Sequence, residues 1–430
     1  MGGSHPYAVR RPERRRAPRI AFQMALVAAV AVGTWVLAHH LVRPLWHHYF
    51  DLFVYRGAIQ WWVSGEPLYS FVRGDSLYGF TYPPFAAVVL APLALGPWRV
   101  PAGILMAASV AVVVVSTWRF FGPVARRAGW PTVFAVALAL PVVLLMDPVR
   151  ETIAYGQINL LLVALVLADV VAVRRGWRWA GAGTGLAAAI KLTPAMFILY
   201  FVLTRRWRVA GVAVATSAAA TAVAFLISPH TSIQFWTTTL WDTSRVGVVG
   251  RTPNQSLQGM LARLLGSPPQ LLWALLAVAV LVIGMWRAAR AYAAGDELVG
   301  LVLTGLTGSL ISPISWTHHL YWLVPAVFVL VDVAVGRSVT PLWPLRRAPG
   351  RATARTAGVA AVAITAACCS SVIWYFQRDE GLIHDGGVLG TLGENAFVLV
   401  MLLLVLLLPA RGPVPVPDSA DDGTPVLAAD

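Results

Sequence analysis

Apolar runs of roughly 15–25 residues recur from Ile20 to Pro409, separated by short segments that are either rich in Arg or rich in aromatic and polar residues. At about 1.5 Å per helical residue, each run crosses most or all of a ~30 Å bilayer core. The pattern predicts an all-α polytopic membrane protein. Spans are expected at about 20–42, 101–121, 131–147, 158–173, 209–227, 269–287, 298–311, 319–335, 356–376 and 396–410. The run at 84–96 is short for a full crossing and reads as a re-entrant or tilted helix.

One stretch breaks the alternation. Arg174, Arg175 and Arg178 on one side and Arg205, Arg206 and Arg208 on the other both demand the cytoplasmic face. The apolar stretch between them is too short for two spans, and a single span cannot return to the same side. Two half-helices meeting at Lys191-Leu-Thr-Pro194 satisfy both ends, because the proline interrupts the hydrogen-bond ladder there. With this pair counted as two, about 12 transmembrane or re-entrant helices are expected, with both termini cytoplasmic. Residues 1–19 read as a disordered basic arm, 20–410 as the membrane domain with its first outer loop at 43–85, and 411–430 as a disordered acidic tail.

Composition agrees. Hydrophobic residues make up 58% of the 430 and charged residues 12%, about half the charge of a soluble domain. The net charge of +14 does not imply nucleic acid, since the arginines cluster in short loops where the positive-inside bias puts them. Cys368 and Cys369 are adjacent in an apolar run, which speaks against a disulfide framework or a metal site. Of the 33 basic residues only Lys191 is a lysine. In a chain that has otherwise drifted to arginine, that residue stands out.

Polar residues sort by side. The outer side receives His47, His48, His230, His318, His319 and His384, together with Asp51, Glu66, Asp75, Asp147, Glu151, Asn159, Asp242, Asn254 and Gln255. Inner loops are almost purely Arg. A one-sided constellation fits chemistry on a lipid-linked substrate at the outer face. The rival reading is a transporter or flippase for a lipid-linked sugar with its midplane site at Lys191; it expects polar lining from both sides and an internal repeat, and neither is found.

Asp51 follows the first span within an aromatic loop. An N-cap is the commonest role there; a general base for an acceptor hydroxyl is the functional one. Glu66 reads as a turn residue or a substrate contact, and Asp75 as a solvated turn residue. Lys191 near membrane depth calls for an anionic partner, and a lipid phosphate at a half-helix end is a natural one. His318 and His319 can donate to phosphate, position a base or rest at the interface. Gln157, Asn159, Asn254 and Gln255 offer amides suited to sugar hydroxyls and equally suited to capping helices. Asp169 and Asp332, close to inner arginines, read as structural. No Asp-x-Asp motif or strong ligand spacing appears, so neither a metal nor another cofactor is expected.

In order along the chain, Asp51-Leu-x-Val-Tyr55, Gly65-Glu-Pro-Leu-Tyr69, Tyr82-Pro-Pro-Phe85, Gly156-Gln-Ile-Asn159, Lys191-Leu-Thr-Pro194, Asn254-Gln-Ser256 and Ser312-Pro-Ile-Ser-Trp-Thr-His-His319 resemble the signatures of the actinobacterial GT-C-type polyprenyl-phosphate-mannose-dependent α-1,2-mannosyltransferases, glycosyltransferase family 87. The resemblance spans about residues 20–410. It implies a GT-C-type fold with an outer-loop active site in the plasma membrane, and an inverting transfer from β-linked polyprenyl-phosphate mannose to a mannosylated glycolipid. It also implies that the essential acid of the first outer loop corresponds to Asp51. Lys191, His318 and His319 are then candidates for the donor phosphate, and Tyr55, Glu66, Tyr82, Gln157, Asn159, Asn254 and Gln255 for sugar and acceptor. The partners implied are membrane lipids and the two lipid-linked substrates.

Overall fold

Runs of Val, Leu and Ala with few breakers make helices, and the computed structural model is mostly helical over the residues it describes: 28, 48–74, 78–242, 245–266, 270–342, 351–376 and 387–412. The expected first span at 20–42, the basic arm, His39, His40, His47, Asp75, His384 and the tail beyond 412 lie outside the described residues. Four helices are long and apolar enough to cross a membrane: Arg99–Arg127, Trp207–Ile227, Gln270–Ala293 and Thr353–Ser370. Two bent pairs raise this to six, Thr132–Leu145 with Asp147–Tyr155 and Gly387–Glu394 with Ala396–Leu407. The chain is thus a polytopic, mostly helical membrane protein. Apolar helices such as Glu297–Ile311 and Leu323–Ala334 have only 10–17 residues, about 15–25 Å against a ~30 Å core. Apolarity alone therefore did not make each run a full crossing.

Two departures from helix position the site. At Met146 the backbone turns extended (φ −62°, ψ 132°) and Pro148 starts a new helix, bent by 62° from the one before. The segment expected as an outer loop at 147–159 is instead the buried helix Asp147–Tyr155, packed on the 317–319 turn. Asp147 and Glu151 are buried along it beside Arg150 rather than exposed to substrate.

The second departure lies where the Arg clusters required it. Ala182–Ile190 stops at Lys191, whose backbone is extended (φ −149°, ψ 131°), and Met196–Leu203 resumes after one 3₁₀ turn, Thr193–Ala195. The first half-helix is wedged between two long neighbours. A Cβ on Gly183 would stand 2.3 Å from the Leu165 carbonyl oxygen, and one on Gly185 would stand 2.3 Å from that of Ala213. Asp169 caps its N-terminal end, accepting from the backbone N–H of Gly181 at 2.8 Å, Gly183 at 3.2 Å and Thr184 at 2.6 Å. Its structural role is this cap, whereas Asp332 does pair with arginine, contacting Arg127 and Arg411.

The last of the described residues are anchored. Ala410–Arg411 pairs antiparallel with Val339–Thr340, and Arg411 binds Asp296. The boundary expected after Ala410 therefore cuts through an ordered contact.

Candidate functional site

The helix carrying Asp51 begins abruptly. His48 and Tyr49 both adopt left-handed conformations (φ 48° and 52°), a rare pair for residues with side chains, and helix Phe50–Val63 follows at once. Tyr49 occupies the N-cap position without a side-chain cap bond. Asp51 therefore stands inside the first turn and is not the cap.

Its carboxylate faces a cavity of about 700 Å³ that is also lined by Tyr82, Gln157, Lys191, His318 and His319. A chain of polar contacts joins them. The Gln157 side chain lines the cavity beside Asp51 and lowers its pKa, and the Gln157 Oε1 accepts from the hydroxyls of Tyr55 at 2.8 Å and Tyr82 at 3.1 Å. Lys191 Nζ donates to the Tyr82 hydroxyl at 3.2 Å and to Asn159 Oδ1 at 2.9 Å, and lies 3.0 Å from His319 Nε2. Asn159 Nδ2 in turn donates to the His318 carbonyl at 3.0 Å, so one amide ties the lysine to the histidine turn.

His319 has its tautomer set by the backbone. Its Nδ1 accepts the Trp316 N–H at 3.2 Å, so in the neutral ring the proton sits on Nε2. Burial, Lys191 and His318 hold this imidazole well below its ordinary value, which keeps it neutral. The Nε2–H therefore points at the Lys191 ammonium. Two donors converge on one region, an arrangement suited to an anionic oxygen that accepts from both.

The charges are tuned, and neither group lies in one of the helices long and apolar enough to cross a membrane. Burial pushes Asp51 up to about 6, against the lowering effects of Gln157, Lys191 and Arg73. Burial pushes Lys191 down to about 7, partly offset by Asp51. A carboxylate and an amine that both titrate near neutrality in one cavity are what acid–base chemistry on a bound substrate requires. Among the described residues no three His, Cys, Asp or Glu side chains cluster as a metal site.

Of the residues singled out in the sequence, Asp51, Tyr82, Gln157, Lys191, His318 and His319 come together here, with Tyr55 and Asn159 bonded to them. Three do not. Glu66 is exposed on the turn after the Phe50–Val63 helix, outside the cavity. Asn254 is fully buried, donating to the carbonyls of Val249 and Pro313 and accepting from the N–H of Ser256 and Ser315. Gln255 is bonded in the same way to the backbones of Thr252, Glu394, Phe397 and Val398. With every polar position engaged by backbone, Asn254 braces the histidine segment from behind and Gln255 ties its loop to the start of the Ala396–Leu407 helix.

Sequence reasoning missed Arg73, Arg245 and Arg251, which also line the cavity. Arg73 covers the Phe50 ring at 4.3 Å and Arg251 donates to the Tyr78 hydroxyl at 3.0 Å. The signal was present: these arginines fall in segments that the sequence pattern assigns to the outer side, where the positive-inside bias disfavours them.

Comparison with known proteins gives the family. The profile of glycosyltransferase family 87 matches residues 80–313. The polyprenol-phosphate-mannose-dependent alpha-(1-2)-phosphatidylinositol mannoside mannosyltransferase of Mycolicibacterium smegmatis is 34% identical over 349 residues, 75% of this chain and 78% of its own. Its counterpart in Mycobacterium tuberculosis is 35% identical over 333 residues, 71% of this chain and 74% of its own. The polyprenol-phosphate-mannose-dependent alpha-(1-2)-phosphatidylinositol pentamannoside mannosyltransferase of Mycolicibacterium smegmatis is 34% identical over 410 residues, 90% and 93% respectively. No solved structure matches the chain at a significant level. Similarity of this extent over most of both chains settles the family: the protein belongs to glycosyltransferase family 87.

Proposed function

We propose that the protein transfers mannose from β-linked polyprenyl-phosphate mannose to a phosphatidylinositol mannoside or related mannosylated lipid, forming an α-(1→2) linkage with inversion. The observation that carries this reading is one cavity holding both a carboxylate poised near neutrality and, joined to it through Gln157 and Tyr82, two converging N–H donors. Asp51 takes the proton of the acceptor hydroxyl. That oxygen attacks the anomeric carbon, the bond from this carbon to the phosphate oxygen breaks, and polyprenyl phosphate leaves with the electron pair. Lys191 and His319 stabilise the charge that gathers on the departing phosphate. His318 shapes the cavity wall beside Tyr155, their rings 4.9 Å apart. The residues hold and move a proton without calling for a metal.

The arginine-rich ends of the helices support an orientation with the reaction cavity at the outer face of the plasma membrane and both termini cytoplasmic. In this reading the chain from residue 20 through the Arg411 contact forms a GT-C-type membrane domain of about 12 transmembrane or re-entrant helices, flanked by the 1–19 arm and the segment beyond residue 412.

The test uses purified protein in lipid with synthetic β-linked polyprenyl-phosphate mannose and phosphatidylinositol mannosides, with product read by mass spectrometry. Hexose transfer by the wild type, and donor binding without transfer by Asp51→Asn, are expected. Transfer by Asp51→Asn at the wild-type rate would overturn the base assignment, and donor binding with no transfer to any acceptor by the wild type would overturn the reaction.

A further inference from the structure

A second large cavity, of about 1050 Å³, lies at the other end of the helices that frame the reaction cavity. The Asn159–Arg174 helix has Asn159 bonded to Lys191 at its start and Arg174 lining this cavity at its end, about 22 Å away. The Glu297–Ile311 helix repeats the relation in reverse: Glu297 lines the second cavity, and Ser312, just past the helix, lines the first.

Seven arginines and three carboxylates line this cavity, an excess of four positive charges. The carboxylates are already engaged. Asp296 is held by Arg411 at 2.7 and 2.8 Å, Asp332 by Arg127 and Arg411, and Glu297 by Arg174 at 3.1 Å and Arg206 at 2.5 Å. Among the described residues no carboxylate pairs with Arg119, Arg126 or Arg337. Arg337 Nε and Nη1 are buried without a hydrogen-bond partner, and burial together with the neighbouring Arg411 lowers its guanidinium from the ordinary value. Among the described residues no further carboxylate balances this cluster.

The opposite part of the lining is apolar. Ala111 and Val115 of the Arg99–Arg127 helix face Leu167 and Val171 of the Asn159–Arg174 helix across it, and Val115 is 60% exposed. From Ala111 to Arg127 the groove follows about 24 Å of helix, more than the ~15 Å hydrocarbon depth of one leaflet. A charged head above a long apolar trough has the shape and polarity of a phospholipid.

We propose that this groove binds an anionic phospholipid of the leaflet opposite the reaction cavity, its phosphate held by Arg126 and Arg337 and one acyl chain lying along Ala111, Val115, Leu167 and Val171. Basic pockets between membrane helices select such headgroups. The reading is independent of the sugar transferred.

Full-length protein in mild detergent, equilibrated with mixtures of dioleoyl phosphatidylglycerol and dioleoyl phosphatidylcholine and read by native mass spectrometry, tests it. Wild type is expected to retain one phosphatidylglycerol against excess phosphatidylcholine. The double variant Arg126→Gln/Arg337→Gln should lose that preference about tenfold. Val115→Trp, which changes no charge, should lower retention by filling the trough, and it keeps the test decisive if the double variant does not fold. Equal retention of the two lipids by the wild type, or phosphatidylglycerol retention unchanged by Val115→Trp, would overturn the proposal. Displacement of the lipid by millimolar inorganic phosphate, with Val115→Trp unaffected, would assign the arginines to a soluble anion instead.

Discussion

The two cavities stand at opposite ends of shared helices and use charge in opposite ways. The reaction cavity surrounds Asp51 and Lys191 with amides and phenols and keeps Arg73, Arg245, Arg251 and Asp242 elsewhere in its lining, so that Asp51 and Lys191 each feel the other and both titrate near neutrality. The arginine groove uses permanent charges in excess, with its carboxylates already tied in ion pairs. A site that moves a proton needs groups whose charge can change. A site that only holds an anion is served by guanidiniums, which do not give up theirs.

The sharpest way to break this contrast is Asp51→Asn, expected to lower kcat by about 10²–10⁴ with donor affinity kept; single-turnover transfer checks it, and a loss below fivefold would make the two cavities alike in kind. Lys191→Met comes next, with transfer reduced by about 10²–10³ if it stabilises the leaving phosphate. Donor binding measured alongside rates would separate this from a loss of affinity alone.

Asn254→Ala strands four buried backbone partners. It should destabilise the fold by about 2–4 kcal/mol, seen as a lowered Tm in detergent, while the fraction that folds keeps its pH profile.

That profile is a finer probe. Asp51 must be ionised to act and Lys191 charged to hold phosphate, so kcat/KM should rise through about pH 6 and fall above about pH 7. Lys191 lowers Asp51, so in Lys191→Met the acid limb should move to higher pH and the alkaline limb should vanish. An unmoved acid limb would uncouple the pair. The smallest effect belongs to the groove: Arg119→Gln, exposed and without an ion-pair partner among the described residues, should change stability by no more than about 0.5 kcal/mol and leave transfer unaltered.

Much of this was written in the chain before it folded. The break at Lys191 followed from arginines at both ends of one short apolar stretch, because neither bilayer thickness nor the cost of moving guanidiniums across it depends on tertiary detail. Asp51 and Lys191 stood out by local context for the same reason. Packing decided the rest. Asn159 and Asn254 look alike in sequence, yet one touches Lys191 and the other closes backbone bonds behind the histidines. An amide offers the same donors and acceptors to a sugar as to a peptide, and only the neighbours brought by the fold choose between them. Helix Asp147–Tyr155 was equally hidden, since its polar residues read as exposed until the fold brings Ser371 to Asp147 beside Arg150. The sequence by itself determined the membrane class, the helix break and the prominence of Asp51 and Lys191, all of which depend on local pattern. The meeting of Asp51 with Lys191 and His319, and the arginine groove at the far end, depend on which distant residues share a cavity, and that only the tertiary structure decided.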